Sequence, residues 1–157
     1  MKQKKQIEIL VRGVCVKRGQ ILLCQSVGAA NTYLPGGHVE FRENARAALE
    51  REILEEMGVK SKAGRFLGCV EHAFRQRGRW HAEINLLFEL RIPSLSPDAK
   101  PKTREEWIAF RWCPLTLASL RTAHLEPAAM ISQLSQGLSH SAGFASTPDV
   151  WKAWTGK

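Results

Sequence analysis

Residues 34–59, LPGGHVEFRENARAALEREILEEMGV, constrain this chain more than any other stretch. They open on a Pro-Gly-Gly turn (Pro35, Gly36, Gly37), pass through a short extended piece and become a helix. The helix is expected over 43–57, with Gly58 as the residue just past its end. At about 100° per residue, Leu49, Ile53 and Met57 form one apolar row at i, i+4, i+8, the side to be buried. Glu52 and Glu56 form the adjacent row, and Glu55 lies on the next one beside Arg51. Three carboxylates therefore leave one flank of the helix, next to its buried edge.

A bare helix does not favour that arrangement. Like charges at i, i+4 repel by roughly a few tenths of a kcal/mol. Glu55 and Glu56 also face the negative end of the helix dipole, at a cost of roughly 0.3–1 kcal/mol each. A solvated acidic face is one explanation, and a cation held by the cluster is the other. Oxygen donors without Cys or His favour Mg²⁺, Mn²⁺ or Ca²⁺ over Zn²⁺.

The spacing decides between them. Gly37, Glu43, Arg51-Glu52-Ile53, Glu55-Glu56 and Gly58-Val59 fit Gx5Ex7REUxEExGU, with U a bulky aliphatic, at every specified position. In this the chain resembles the Nudix hydrolases. Leu34-Pro35-Gly36-Gly37 and Val39-Glu40 before the helix are similar too, and the flanking strand pattern carries a looser likeness to about residue 120. The resemblance implies an α/β (α+β) Nudix fold, a mixed central β-sheet sandwiched between α-helices.

The rest of the sequence reads as support for that segment. Ile7, Ile9 and Val11 alternate, then Val14 and Val16 take the offset phase, so 6–17 is expected as a strand with a bulge at Gly13. Lys17–Gln20 is a turn and 21–25 a strand, making 6–25 a hairpin. Residues 26–33 are a loop. Strands are expected at 65–74 and 81–91, joined by the basic loop 75–80, and at 108–112. Residues 92–104, rich in Pro and Ser, are expected to be a mobile loop. A second helix at 126–138 carries Pro127 in its first turn and packs opposite the catalytic helix. On strand 81–91, His81, Glu83 and Asn85 share one face and Ala82, Ile84, Leu86 and Phe88 the other.

At 157 residues the chain reads as a single domain with its core over about 6–138. The tail, 139–157, carries Trp151 and Trp154, which suggest docking on the domain or a partner subunit. Its four cysteines are scattered with no CxxC, as buried thiols of a reducing, cytoplasmic compartment. No run suits a signal peptide or a membrane span. The net charge of +8 attracts polyanions such as nucleotides, phosphosugars and RNA, yet no helix-turn-helix, RNP or zinc-finger pattern accompanies it.

What the resemblance implies about the site is more specific. Glu52 and Glu56 are the principal Mg²⁺ ligands, with Mn²⁺ an alternative, and Glu55 is a third ligand or the general base. The Gly36 and Gly37 backbone helps hold metal and diphosphate. Arg51 orients the cluster and, with Glu43, forms a structural ion pair. His38, Glu83, Glu106 (or its neighbour Glu105) and Tyr33 are candidates for substrate contact, as are Trp80 and Trp107 for stacking on a base. The implied activity is pyrophosphohydrolysis of a nucleoside diphosphate linked to another moiety X, a nucleotide sugar or a (modified) nucleoside triphosphate, with capped RNA behind them. A homodimer is compatible with the resemblance. The reading from a different class is a non-catalytic nucleotide-metabolite or RNA-binding module on the same fold.

Overall fold

Leu87 and Phe88 are neighbours in sequence, yet they are buried in different cores. Both belong to one long strand, whose side chains alternate between the two faces of a sheet. The computed structural model describes residues 6–138 and the pair 151–152. In order these form β1 (Ile7–Val14), β2 (Val16–Lys17), β3 (Gln20–Ser26), β4 (Gly36–His38), α1 (Ala45–Met57), β5 (Lys62–Gln76) and β6 (Arg79–Arg91). β7 (Ile108–Pro114), α2 (Leu117–Thr122), α3 (Ala129–Leu138) and β8 (Trp151–Lys152) complete them.

One sheet has the order β4-β1-β6-β5-β8 and is mixed: β1 runs parallel to β6 and β5 to β8, while β4 is antiparallel to β1 and β5 to β6. A smaller sheet, β2-β3-β7, is antiparallel. On the Phe88 side, Val11, Leu86 and Leu90 pack with Leu49, Ile53 and Met57 of α1. On the Leu87 side, Val14 and Val70 pack with Leu120 of α2 and with Met130 and Leu134 of α3. A mixed sheet between helices is thus the architecture, as expected.

The expected bulge at Gly13 is absent. The β1–β6 ladder runs through it without a break, with Gly13 opposite Phe88. The phase change marks a change of sheet: the chain leaves the large sheet after Val14 and enters the small one at Val16. Gly13 is glycine for a packing reason. A Cβ there would stand 2.9 Å from Leu90 Cβ and 3.2 Å from Leu49 Cδ1, where α1 closes on the sheet. The expected hairpin over 6–25 shrinks accordingly to the β2–β3 corner, since β1 and β3 lie in different sheets.

Helix α1 begins at Ala45 because Asn44 stays extended (φ −84°, ψ 151°) and accepts a hydrogen bond from Ala47 N at 2.9 Å. It ends at Gly58, which adopts the left-handed conformation and donates to Leu54 O. The loop after β6, expected to be mobile, is tied down at both ends. The Lys17 ammonium donates to the Ile92 carbonyl at 2.7 Å and to that of Leu95. Arg104 N and Thr103 Oγ1 both reach Glu56 O, at 2.7 and 3.2 Å, so the loop caps the last turn of α1.

Helix α3 starts two residues beyond Pro127, and Glu126 Oε2 accepts from Ala128 N at 3.1 Å on the approach to it. β8 runs parallel to β5, with Trp151 opposite Cys69, whereas Trp154 lies outside the described residues. All four cysteines are buried and unpaired. Among the described residues no helix is long and apolar enough to cross a membrane.

Candidate active site

The site forms where strand β4 meets the acidic flank of α1. Arg12 of β1 pairs with Gly36 of β4, Gly13 N donates to Pro35 O at 2.7 Å, and Arg12 Nη1 donates to Leu34 O at 3.2 Å. Two glycines make this closeness achievable. Gly36 sits at φ 142°, and any side chain there would collide with the Val11 carbonyl. At Gly37 a Cβ would occupy the space filled by the Glu52 carboxylate. Glu52 therefore rests directly on the backbone of the Pro-Gly-Gly turn.

Arg51 gathers the surrounding carboxylates. Its guanidinium donates to Glu43 Oε1 and Oε2 at 2.8 and 3.0 Å, to Glu52 Oε1 at 3.0 Å and to Glu55 Oε2 at 3.2 Å. It also reaches the carbonyl of His38 at 3.0 Å, which ties helix to strand. The planar five-donor fork of arginine suits this; a lysine ammonium has three donors and no plane. The bonds from Arg51 hold the Glu43 carboxyl below its ordinary range.

Glu56 has no such partner. Its residue is 7% exposed, and Oε2 is buried without a hydrogen bond. Burial, reinforced by the neighbouring Glu52 charge, pushes its carboxyl up to about 8 despite the opposing charge of Arg12. A buried, unpaired acceptor is costly unless something arrives to meet it. Among the described residues no three Asp, Glu, His or Cys side chains form a ready-made metal-ligand set, and Glu52 and Glu55 each accept a hydrogen bond from Arg51. The donor chemistry nonetheless fits a hard divalent cation: the orphaned Glu56 oxygen and the Glu52 carboxylate face one groove, lined by oxygen donors with no sulfur.

That groove encloses about 310 Å³, and Glu52, Glu55 and Glu56 share it with Gly36, Gly37 and His38. Arg12 and Tyr33 also line it, and Glu105 and Trp107 come in from the loop before β7. Of the two loop glutamates, Glu105 is therefore the one in the groove; Glu106 is exposed and does not line it. Trp107 Nε1 donates to Glu105 Oε2 at 3.2 Å and fixes that carboxylate. His38 is held at the rim by Glu8 Oε2, 3.1 Å from its Nε2. Trp80 lies at the exposed tip of the β5–β6 hairpin beside Arg75, away from the groove.

Glu83 stands outside the groove, in a second cleft across Arg12 and Tyr33. Burial works to raise its carboxyl, but the neighbouring His72, a hydrogen bond from Asn85 and the Arg12 charge outweigh it and hold the group below its ordinary range. Arg12 is the residue that sequence reasoning missed. The available signal was a charged side chain inside an apolar strand, on the face opposite Val11.

A family model for the NUDIX domain matches residues 4–134. Diphosphoinositol polyphosphate phosphohydrolase 2 of Rattus norvegicus is 27% identical over 132 residues, covering 83% of this chain and 71% of the relative. A MutT NUDIX hydrolase from Burkholderia pseudomallei, known as a crystal structure, is 26% identical with a TM-score of 0.62, covering 84% of this chain and 98% of that one. A NUDIX hydrolase from Nitrosomonas europaea shares the fold at 18% identity, with a TM-score of 0.62 and coverage of 97% and 100%.

Proposed function

This chain belongs to the Nudix family, and from that premise we propose that it is a Mg²⁺-dependent pyrophosphohydrolase of a nucleoside diphosphate linked to another moiety. The observation that carries the reading is the buried, unpartnered Oε2 of Glu56 beside a Glu52 carboxylate lodged on Gly37. Nudix hydrolases act on phosphoric anhydrides, and a cluster of this kind suits that chemistry. The substrate is either a nucleotide sugar or a nucleoside triphosphate, normal or modified.

Glu52 and Glu56 would hold the divalent cation, with Glu55 and the Gly36 backbone beside them. When bound, such an ion polarises a phosphoryl oxygen and lowers the pKa of a coordinated water. The chain's own residues supply position and charge. Arg51, fastened to Glu43 and to the His38 carbonyl, keeps Glu52 and Glu55 aimed at the groove. Glu55, with its side chain 56% exposed, is the most open of the cluster and can accept a proton at either carboxylate oxygen and pass it to solvent. Arg12 offers a fixed positive charge in the groove, where a diphosphate would otherwise face only carboxylates.

The test is to identify products. Purified protein with Mg²⁺ is incubated with nucleoside triphosphates, nucleotide sugars, a diphosphoinositol polyphosphate and capped RNA, and each mixture is resolved by chromatography. A nucleoside monophosphate, released with either pyrophosphate or phosphorylated X, is the expected outcome. Exclusive turnover of the inositol substrate would replace the nucleotide reading.

A further inference from the structure

A second cleft, also of about 310 Å³, shares Arg12 and Tyr33 with the groove and is walled by His72, Phe74, Glu83 and Pro127 together with Glu126. Its floor is one face of the large sheet, where His72 lies opposite Glu83 in the β5–β6 ladder. Arg12 Nε donates to Asn85 Oδ1 at 3.3 Å, and Asn85 Nδ2 donates to Glu83 Oε2 at 3.3 Å. Asn85 is fully buried, so this chain of bonds fixes a cation at one end and a carboxylate at the other. His72 stands between the two acids, 3.6 Å from Glu83 Oε2 and 4.0 Å from Glu126 Oε2. Its ring stacks on Phe74 at 4.9 Å.

Charge therefore alternates across the two clefts. The acidic cluster of α1 comes first, then Arg12, then Glu83 and Glu126. A ligand that follows this order has cation-bound phosphates at one end, a phosphate beside Arg12 and a donor-rich, uncharged group at the other. Two carboxylates repel a phosphorylated X such as a polyphosphorylated ring. An ionised carboxylate is acceptor-only and has two oxygens, so its best partner presents two N–H groups side by side. Guanine does so with its ring N1–H and 2-amino group. Adenine and cytosine place an amine beside a ring acceptor, and uracil offers a single N–H between carbonyls.

We propose that the second cleft is a nucleobase site in which Glu83 accepts from a guanine-type edge while Arg12 takes the intervening phosphate. The assignment rests on the reading that the substrate is a nucleotide, and it names the base. Phe74, Tyr33 and Pro127 supply the apolar walls.

Binding tests this without turnover. Guanosine and inosine 5′-monophosphate differ only by the 2-amino group, and each is titrated calorimetrically into the full chain with Mg²⁺ present. The guanosine nucleotide is expected to bind about tenfold tighter or more, because losing one donor leaves the half-buried Glu83 carboxylate with one partner fewer. In Glu83→Gln the ratio falls toward one. Equal binding by the wild-type protein overturns the inference, and that measurement stands even if the variant does not fold. The hydrolysis panel answers separately. A guanosine preference without cleavage of any anhydride leaves the cleft assigned and removes the hydrolase reading; cleavage without the preference does the reverse.

Discussion

Glu56 is 7% exposed and its Oε2 meets no donor, so in the metal-free protein the protonated form is the comfortable one. Its folded pKa is raised from 4.5 to about 8, chiefly by burial. The folded chain therefore holds a proton that the unfolded chain releases, and stability falls as pH rises from about 4.5 to about 8. Glu56→Gln carries no charge at any pH and escapes that loss. In EDTA, urea unfolding should find the variant and the wild type similar near pH 4.5, with the variant more stable at pH 8 by on the order of 3 kcal/mol. A wild-type curve that rises over this range would show that Glu56 is already ionised at little cost. Arg51 makes a second prediction at the same scale. Arg51→Lys keeps the charge but loses the fork that serves Glu43, Glu52 and Glu55 together. Its kcat should fall by about 10²-fold with a much smaller change in KM, since misplacing a carboxylate costs turnover more than binding.

Helix α1 and strand β4 meet through a missing side chain, and that contact is testable at the level of elements. Gly37→Ala would push the Glu52 carboxylate off the turn. Activity should drop by roughly 10²-fold while the melting temperature moves little, because the displaced group borders an open groove. By contrast, Asn44→Ala removes the N-cap and should cost about 1 kcal/mol of stability with activity largely kept. Neither contact was legible in the sequence, where the helix is expected from 43 with no N-cap named, but other local features of α1 were. The apolar row, the terminal Gly58 and the acidic flank all depend on residues within one or two turns of one another. Long-range constraints were not legible. Gly13 is dictated by Leu90 and Leu49, far away in the chain, and so it resembled a bulge. Arg12 gains its role from Asn85, 73 positions on, through a parallel pairing that no local pattern announces. The loop after β6 has the composition of a mobile segment, yet Lys17 and the end of α1 pin it. Glu105 and Glu106 are equivalent on paper, and only the folded chain shows that the first of them lines the groove.

The whole molecule adds a field and a layout. The chain carries a net charge of +8 while its groove is lined by four carboxylates, those of Glu52, Glu55, Glu56 and Glu105. Encounter with an anionic substrate should be steered, and kcat/KM should fall severalfold between low salt and about 0.5 M salt, at constant free Mg²⁺, with kcat nearly unchanged. The layered fold then sets two clefts that share Arg12 and Tyr33, the first proposed for the anhydride and the second for what is attached to it. Everything rests on the acidic cluster being the place where the anhydride is cleaved. The most direct measurement is the Mg²⁺-dependent release of a nucleoside monophosphate by the wild-type protein beside Glu56→Gln, both shown to be folded by circular dichroism. Turnover that requires the divalent cation and drops by about 10²-fold or more in the variant is the predicted result. Equal turnover by both proteins, or turnover that persists in EDTA, would place the chemistry elsewhere.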